Sequence, residues 1–339
     1  MDIAVIPLDV ADDAAVERAF EIEAAAVAAD LPGFPPVCHQ NFVGGIRHPW
    51  PGYRSHHALA YLDGTPAGYV RTDLPQLDNT DNASVELSVH PDQRTRGVGR
   101  ALHEYVVRYL RDAGRKRVVG MSVKELPGGP ARSSAGAAFA TAMGATSALF
   151  DVRRRLDVTA IDEPAIEGML TAALRRASGY SLVQWAGRAP DEYVDDVAYL
   201  DGRLVADAPM GDLAWEPEKV DAARVRRAEA TREARGRRAY HTGMRHDRSG
   251  RLVAWTTLDF SAGNPWHAFQ QITIVEPRHR GHRLGTIVKI ENLRYARAHE
   301  PELKAVDTWN AAANDHMISI NEAMGFRPVD GWDNWQLTV

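Results

Sequence analysis

Two stretches of this sequence hold residues that could grip an anion. Residues 89–99 read VHPDQRTRGVG, and residues 275–285 read VEPRHRGHRLG. In each, an apolar run suited to a strand leads into glycines and arginines, and a run suited to a helix follows. That order suits a phosphate, because a helix N-terminus presents unpaired N–H groups and about half a positive charge. Gly97 and Gly99 let the backbone come close to the anion. Arg94, Arg96 and Arg100 add positive charge around Val98. The second stretch offers Arg280, Gly281, His282 and Gly285, with Leu284 and Thr286 opening the helix. Arg283 stands there where the first copy has Gly97. Taken alone, either loop also fits a plain strand-to-helix turn with solvated arginines.

Other anion and metal chemistries fit less well. GVGRAL contains G-x-G, but Leu102 holds the place of a third glycine, and Asp112 comes too early for a ribose-binding acid. Dinucleotide binding is therefore not expected. His279 and His282 lie near no cysteine or carboxylate cluster with ligand spacing, so no metal site is expected. The basic residues of 219–238 alternate with acids and lack interleaved aromatics. They read as a solvated helix face and give no reason to expect a nucleic-acid partner.

The elements that must position the two loops come twice. Aligning Val89 with Val275 also aligns Pro91 with Pro277, Arg94 with Arg280 and Gly99 with Gly285. AMGA at 142–145 is echoed by AMGF at 323–326. The first half reads as strand Ile3–Pro7, helix Ala14–Ala29, a hairpin across DGTP, strand Ser84–Val89, the loop and a helix ended by Gly114. Strand Arg117–Val123, helix Ser134–Met143 and strand Ala148–Leu156 close it. The second half repeats this from strand Tyr180–Trp185 to strand Trp335–Val339. Its elements include helix Val220–Arg235, a hairpin across DRSG, strand Gln271–Val275, helix Gly285–Ala298, strand Ala305–Trp309 and helix His316–Met324. The expectation is an α/β chain with mixed sheets in two similar domains, 1–158 and 178–339, joined by a helical linker at 159–177. A chain of 339 residues with 45% apolar content can bury two such cores.

The net charge of −5 argues against general nucleic-acid binding. The single cysteine, Cys38, allows no internal disulfide. The N-terminal MDIAVIPLDVADD lacks the layout of a signal peptide, and no apolar run is long enough to cross a bilayer. A soluble, cytoplasmic monomer or homodimer with no membrane partner is expected.

With these motifs in place, the sequence resembles the GNAT superfamily of N-acetyltransferases. The family loop pattern Q/R-x-x-G-x-G/A is met by Arg94-Thr95-Arg96-Gly97-Val98-Gly99. A second pattern, N-x-x-A-x-x-x-Y-x-x-x-G-F, is met in part by Asn314, Met317, Asn321, Gly325 and Phe326. The resemblance covers nearly the whole chain as a tandem duplication. It implies acetyl-CoA as cosubstrate, with its pyrophosphate on the loop and an N–H near Val89 or Val275 polarising the thioester carbonyl. One such donor is worth roughly 100- to 1000-fold in rate. The acceptor implied is the amine of a small molecule, attacking directly in a ternary complex. An alkylamine is neutral in only about one molecule in a thousand at pH 7, so the site must deprotonate it.

Each half departs from the family differently. The first has Glu86 where members place a base, or else a carboxylate on the polar face of a strand. It lacks the second pattern, with Ala140 in place of the tyrosine. The second half has Ile272 at the position of Glu86. It keeps Asn310 and Asn314, to bond the pantetheine arm or only to cap a helix, and it has Asn321 in place of the tyrosine. Asn321 is the acid-side candidate by position alone. The carboxylates of 207–218 (Asp207, Asp212, Glu216, Glu218) could bind a cationic acceptor or be solvated. Phe42, Trp50, Tyr53 and His56 could form an apolar acceptor pocket or a satellite core. The second half is preferred as the active one. The alternative is a chain that binds acetyl-CoA without catalysis, as a sensor or scaffold.

Overall fold

A computed structural model describes residues 2–339. In the first half of the chain β1 (Ile3–Pro7) is followed by helices α1 (Asp13–Asp30) and α2 (His39–Arg47). The hairpin β2 (Tyr53–Leu62) and β3 (Thr65–Pro75) leads to β4 (Asn82–Val89), α3 (Val98–Asp112), β5 (Arg117–Lys124), α4 (Ala135–Ala142) and β6 (Thr146–Asp157). The second half begins with α5 (Glu163–Leu174), β7 (Tyr180–Ala186), α6 (Val194–Gly202), α7 (Leu204–Asp207) and α8 (Ala222–Ala234). It continues with β8 (Arg237–His246), β9 (Leu252–Ser261), β10 (His267–Val275), α9 (Leu284–His299), β11 (Ala305–Ala311), α10 (Asp315–Ala323) and β12 (Arg327–Thr338). The helices α2, α6 and α7 were not expected from the sequence, where Gly44 and Gly45 and the acids of 191–201 obscure any 3.6-residue period.

Two compact units form, and they do not divide the chain at one point. The first holds residues 1–151, 210–215 and 330–339; the second holds 152–209 and 216–329. Relative to boundaries at 158 and 178, the closing strands are exchanged. In the first unit the strand order is β1-β2-β3-β4-β5-β12, and in the second β6-β11-β10-β9-β8-β7. β12 runs antiparallel to β5 from Gly331↔Lys124 to Thr338↔Arg117.

A buried ion pair locks each exchanged strand into its unit. Asp330 opens the β12 segment of the first unit and meets Arg132 at 2.8 Å, with both side chains almost fully buried. In the second unit β6 brings Arg153 and Arg155, which reach Asp307 of β11 at 2.9 and 2.7 Å. His267 adds a third contact to Asp307 at 3.0 Å. These partners hold the Asp307 carboxyl well below the usual carboxylate range against the burial that would raise it. Removing one partner of such a pair leaves an uncompensated buried charge, so a strand that carries the pair specifies its own place.

Each sheet has α helices on both faces. In the first unit Val85, Leu87 and Val89 of β4 pack with Val98, Leu102 and Val106 of α3. The alternate residues, including Ser88, face α1. In the second unit Val275 packs into the core with Leu284, Ile287 and Val288 of α9. Ile272 and Ile274 face the other way, against Val197, Leu200 and Val225 of α6 and α8.

Candidate functional site

In both units two parallel strands part and a loop leads on to a helix. β4 pairs with β5 only from Asn82↔Arg117 to Ser84↔Val119. β10 pairs with β11 only from His267↔Ala305 to Phe269↔Asp307. Beyond those rungs each pair opens into a fork, and the Gly/Arg loop follows the end of its first strand.

The two loops share one backbone. Thr95 and Gly97 have φ of 63° and 89°, and Gly281 and Arg283 have 85° and 59°. Both left-handed positions are kept, and each loop fills one with glycine and the other with a side chain. Gly97 and Arg283 are the N-caps of α3 and α9. A left-handed L-residue costs roughly 1–2 kcal/mol, so Arg283 holds the Gly97 conformation under strain. Gly281, Arg283, Gly97, Arg96 and Arg100 are exposed, while Val98 and Leu284 are buried. A Cβ on Gly99 would crowd Phe139 of α4 at 3.3 Å, whereas one on Gly285 would make only an ordinary contact, 3.7 Å from Val275. Thr286 is buried in the first turn of α9.

The leading arginines, expected at the phosphate, are engaged within the protein. Arg94 Nε donates to the Val89 carbonyl at 3.2 Å, and its guanidinium forks onto Asp30 at 2.7 and 2.8 Å. Arg280 Nε likewise donates to the Val275 carbonyl at 3.2 Å, and its Nη2 lies 3.1 Å from Asp207. Asp30 and Asp207 end α1 and α7. Both arginines therefore brace the loop against the preceding strand and a helix end. Arg96 bonds Gln93, and the His282 ring contacts the Arg176 carbonyl at 3.1 Å.

On the α1 face of β4, Glu86 is 62% exposed and lies 3.9 Å from Arg71. The buried carboxyl there is Glu23 of α1, which accepts from Ser88 Oγ at 2.6 Å. Burial raises the Glu23 pKa, and nearby Glu86 raises it further. Nothing in the run EIEAAAVAAD marks Glu23 over Glu21, so the sequence reading missed it. The matching face of the second unit is apolar, with Ile272 and Ile274 in a core with Trp185 and Trp255. His241 stacks between those two indoles, and burial pushes its pKa down to about 3, so it stays neutral.

The second unit has a feature at its fork that the first lacks. β4 pairs with β3 without interruption from Asp73↔Ser84 to Gly68↔Val89. β10 carries a β-bulge: Gln270 pairs with Leu258, but Thr273 pairs with Thr256, leaving one extra residue on β10. It lies just past the last rung of the β10–β11 pair. Side chains take over the missing ladder. Gln270 Nε2 donates to Thr257 O at 2.8 Å, and Thr256 Oγ1 donates to Ile272 O at 2.9 Å.

Beside this fork Asn314 caps α10 by accepting from Met317 N at 3.3 Å. Asn321 is fully buried, and its amide donates to Asn310 Oδ1 at 2.7 Å. An amide has no proton to give near neutral pH, so Asn321 braces Asn310 and does not act as the acid expected from its position. The 207–218 carboxylates are not a free cation trap. Asp207 is held by Arg203 and Arg280, and Glu218 pairs with Arg224. Residues 210–215 belong to the first unit, where Asn82 Nδ2 donates to Ala214 O. Phe42 packs with the Ile22, Ile46 and Tyr69 core, while His56 stacks on Tyr109. Those aromatics do not form one pocket. Among the described residues no cluster of metal-ligating side chains forms, and no helix is long and apolar enough to cross a membrane.

Residues 25–126 match the model of the acetyltransferase (GNAT) family. The structure is similar to a tandem GNAT protein from the clavulanic acid biosynthesis pathway, at TM-score 0.84 and 34% identity, covering 99% of this chain and 98% of that one. The chain is also 28% identical over 293 residues to mycothiol acetyltransferase of Salinispora arenicola (strain CNS-205), covering 83% of this chain and 81% of that relative. A GCN5-related N-acetyltransferase from Sphaerobacter thermophilus shares the fold at TM-score 0.64 and 14% identity, covering 99% and 95% of the two chains.

Proposed function

Since the chain belongs to the GNAT family of acetyltransferases, as a tandem member, we propose that it transfers acetyl from acetyl-CoA to the amine of a small molecule, with the second unit as the seat of chemistry. The β10 bulge carries this reading, because it sits where the strands part and directly upstream of the loop. A pyrophosphate on the free N–H groups at the start of α9 directs the pantetheine arm along β10 into the fork. A main-chain N–H released by the bulge then faces the thioester carbonyl, where charge develops as the amine attacks. In one displacement within a ternary complex the C–N bond forms, the C–S bond breaks, and the proton lost by the amine ends on the departing CoA thiolate. Asn310, braced by Asn321, lies on β11 across the fork to hold the arm. Relatives named mycothiol acetyltransferase, and a tandem GNAT protein from the clavulanic acid biosynthesis pathway, support a small-molecule acceptor.

The test is release of CoA thiol by the full chain across a panel of amines, amino acids, aminoglycosides and peptides. One class of small amine should release CoA, with intersecting initial-rate lines in both substrates. Release with peptides only, or parallel lines, would sink the proposed acceptor or the proposed order of events.

A second reading places chemistry in the first unit, on the strength of Glu23. Its buried carboxyl, raised in pKa, lies on the face of β4 that also carries Glu86. Glu23→Gln should leave turnover within about twofold under the preferred assignment. A loss beyond about tenfold, with acetyl-CoA binding unchanged, would move catalysis there.

A further inference from the structure

Lys289 lies in the middle of α9 with Ile287, Val288 and Ile290, all buried. It is itself 2% exposed. Among the described residues its ammonium has one hydrogen-bond acceptor in reach, Gln270 Oε1 at 3.2 Å, and it lies 5.3 Å from the centre of the Phe326 ring. No carboxylate among the described residues faces it, and burial pushes its pKa down to about 7. A methionine of similar length would fill the same space without the desolvation cost of an ammonium. A stability role therefore does not account for this lysine.

Its single partner points to another role. Gln270 is the last regularly paired residue of β10 before the bulge. Its Nε2 reaches Thr256 Oγ1 at 2.9 Å, Thr257 O at 2.8 Å and Ile272 O at 3.3 Å. These contacts replace the ladder that the bulge interrupts. The amide can donate to them only with Nε2 turned toward β9, which turns Oε1 toward α9. Without a donor on the α9 side, nothing would hold Oε1 in that direction. Lys289 supplies the donor that fixes this orientation.

We propose that Lys289 is a positioning residue that sets the β10 bulge through the Gln270 amide, and so aims the main-chain donor at the acetyl carbonyl. This rests on the second unit holding the acetyl group. The chain of contacts runs from Nζ to Oε1, through Nε2 to the Ile272 carbonyl, without touching substrate.

The test uses the full chain and acetyl-CoA labelled with ¹³C at the acetyl carbonyl, and needs no acceptor. Difference infrared spectra read the carbonyl band of bound acetyl-CoA, and calorimetry reads affinity and stoichiometry. In the wild type the band should lie below its position in free acetyl-CoA. In Lys289→Met at least half of that shift should vanish, with affinity within about threefold and a melting temperature no lower. Gln270→Leu should move the band the same way, and the double variant no further than the larger single effect, because both act on one contact chain. An unmoved band in Lys289→Met, or additive shifts in the double variant, overturns the proposal. Gly285→Trp separates the two layers of argument. If it leaves binding stoichiometry intact, the second-unit reading falls and this inference falls with it. If it removes one site while the band in Lys289→Met stays put, only the role of Lys289 is overturned.

Discussion

Gly97 and Arg283 cap equivalent helices in the same left-handed conformation, at φ 89° and 59°, yet the strands leading into them differ. β4 pairs regularly with β3 and turns Glu86 and Ser88 toward Glu23. β10 is bulged and turns Ile272 and Ile274 into an apolar core. The comparison separates two things that a motif merges. The loop is a backbone shape, and it survives loss of its glycine as long as the strain is borne. The surroundings of the strand have diverged between the units.

Four measurements would break or sharpen this contrast. Asp307→Leu removes the carboxylate partner of the buried Arg153 and the half-buried Arg155 in the second unit, at a cost of about 3–5 kcal/mol. Thermal unfolding should show that loss. Because the Asp307 pKa is depressed, the stability it lends is present above an unfolded value of about 3.9 and is lost as pH falls below it. Gly285→Trp should cut turnover by at least about 100-fold, or about 2.7 kcal/mol in transition-state stabilisation, while Gly99→Trp changes it little. The reverse pattern in steady-state thiol release would assign the chemistry to the first unit.

Lys289→Met should stabilise the chain more at pH 6.5 than at pH 9.5, by about 3 kcal/mol. The unfolded lysine binds its proton up to about pH 10.4, whereas the folded one releases it near 7. Its penalty is thus full below 7 and fades as pH rises through that interval. Equal gains at both pH values would mean that Lys289 keeps its charge when folded. The smallest effect belongs to Arg283→Gly. Relief of left-handed strain and the added freedom of the unfolded chain each amount to about 1 kcal/mol and oppose one another. Stability should stay nearly level, while acetyl-CoA affinity falls several-fold if the exposed guanidinium contacts phosphate. Unchanged affinity would show that Arg283 points to solvent.

Much of this was legible in the sequence. The repeat VHPDQRTRGVG and VEPRHRGHRLG located both loops, and alternation in ELSV and ITIV located the strands that feed them. Asp30 and Asp207, which claim the leading arginines, lie 64 and 73 residues away from them and carry no local signal. The bulge is equally silent, since an extra residue in a β-branched run does not disturb composition. Lys289 inside TIVKIENL carried no weight in the sequence, because a lone cation in a helix that also holds Glu291, Arg294 and Arg297 reads as part of a solvated face. The partners of β6 and β12 were out of reach, because either strand fits beside either fork until the buried arginine–aspartate pairs decide.

The exchange of those strands fixes an order of events during synthesis. Residues 1–151 emerge with the flank of β5 uncovered, and the segment that covers it, 330–339, is made only after every residue of the second unit. The first Gly/Arg loop waits for the later half of the chain before its sheet is complete. A ribosome stalled anywhere in between therefore carries an exposed parallel-strand edge, a template for wrong pairing. Cutting the gene at the repeat boundary would make that transient edge permanent.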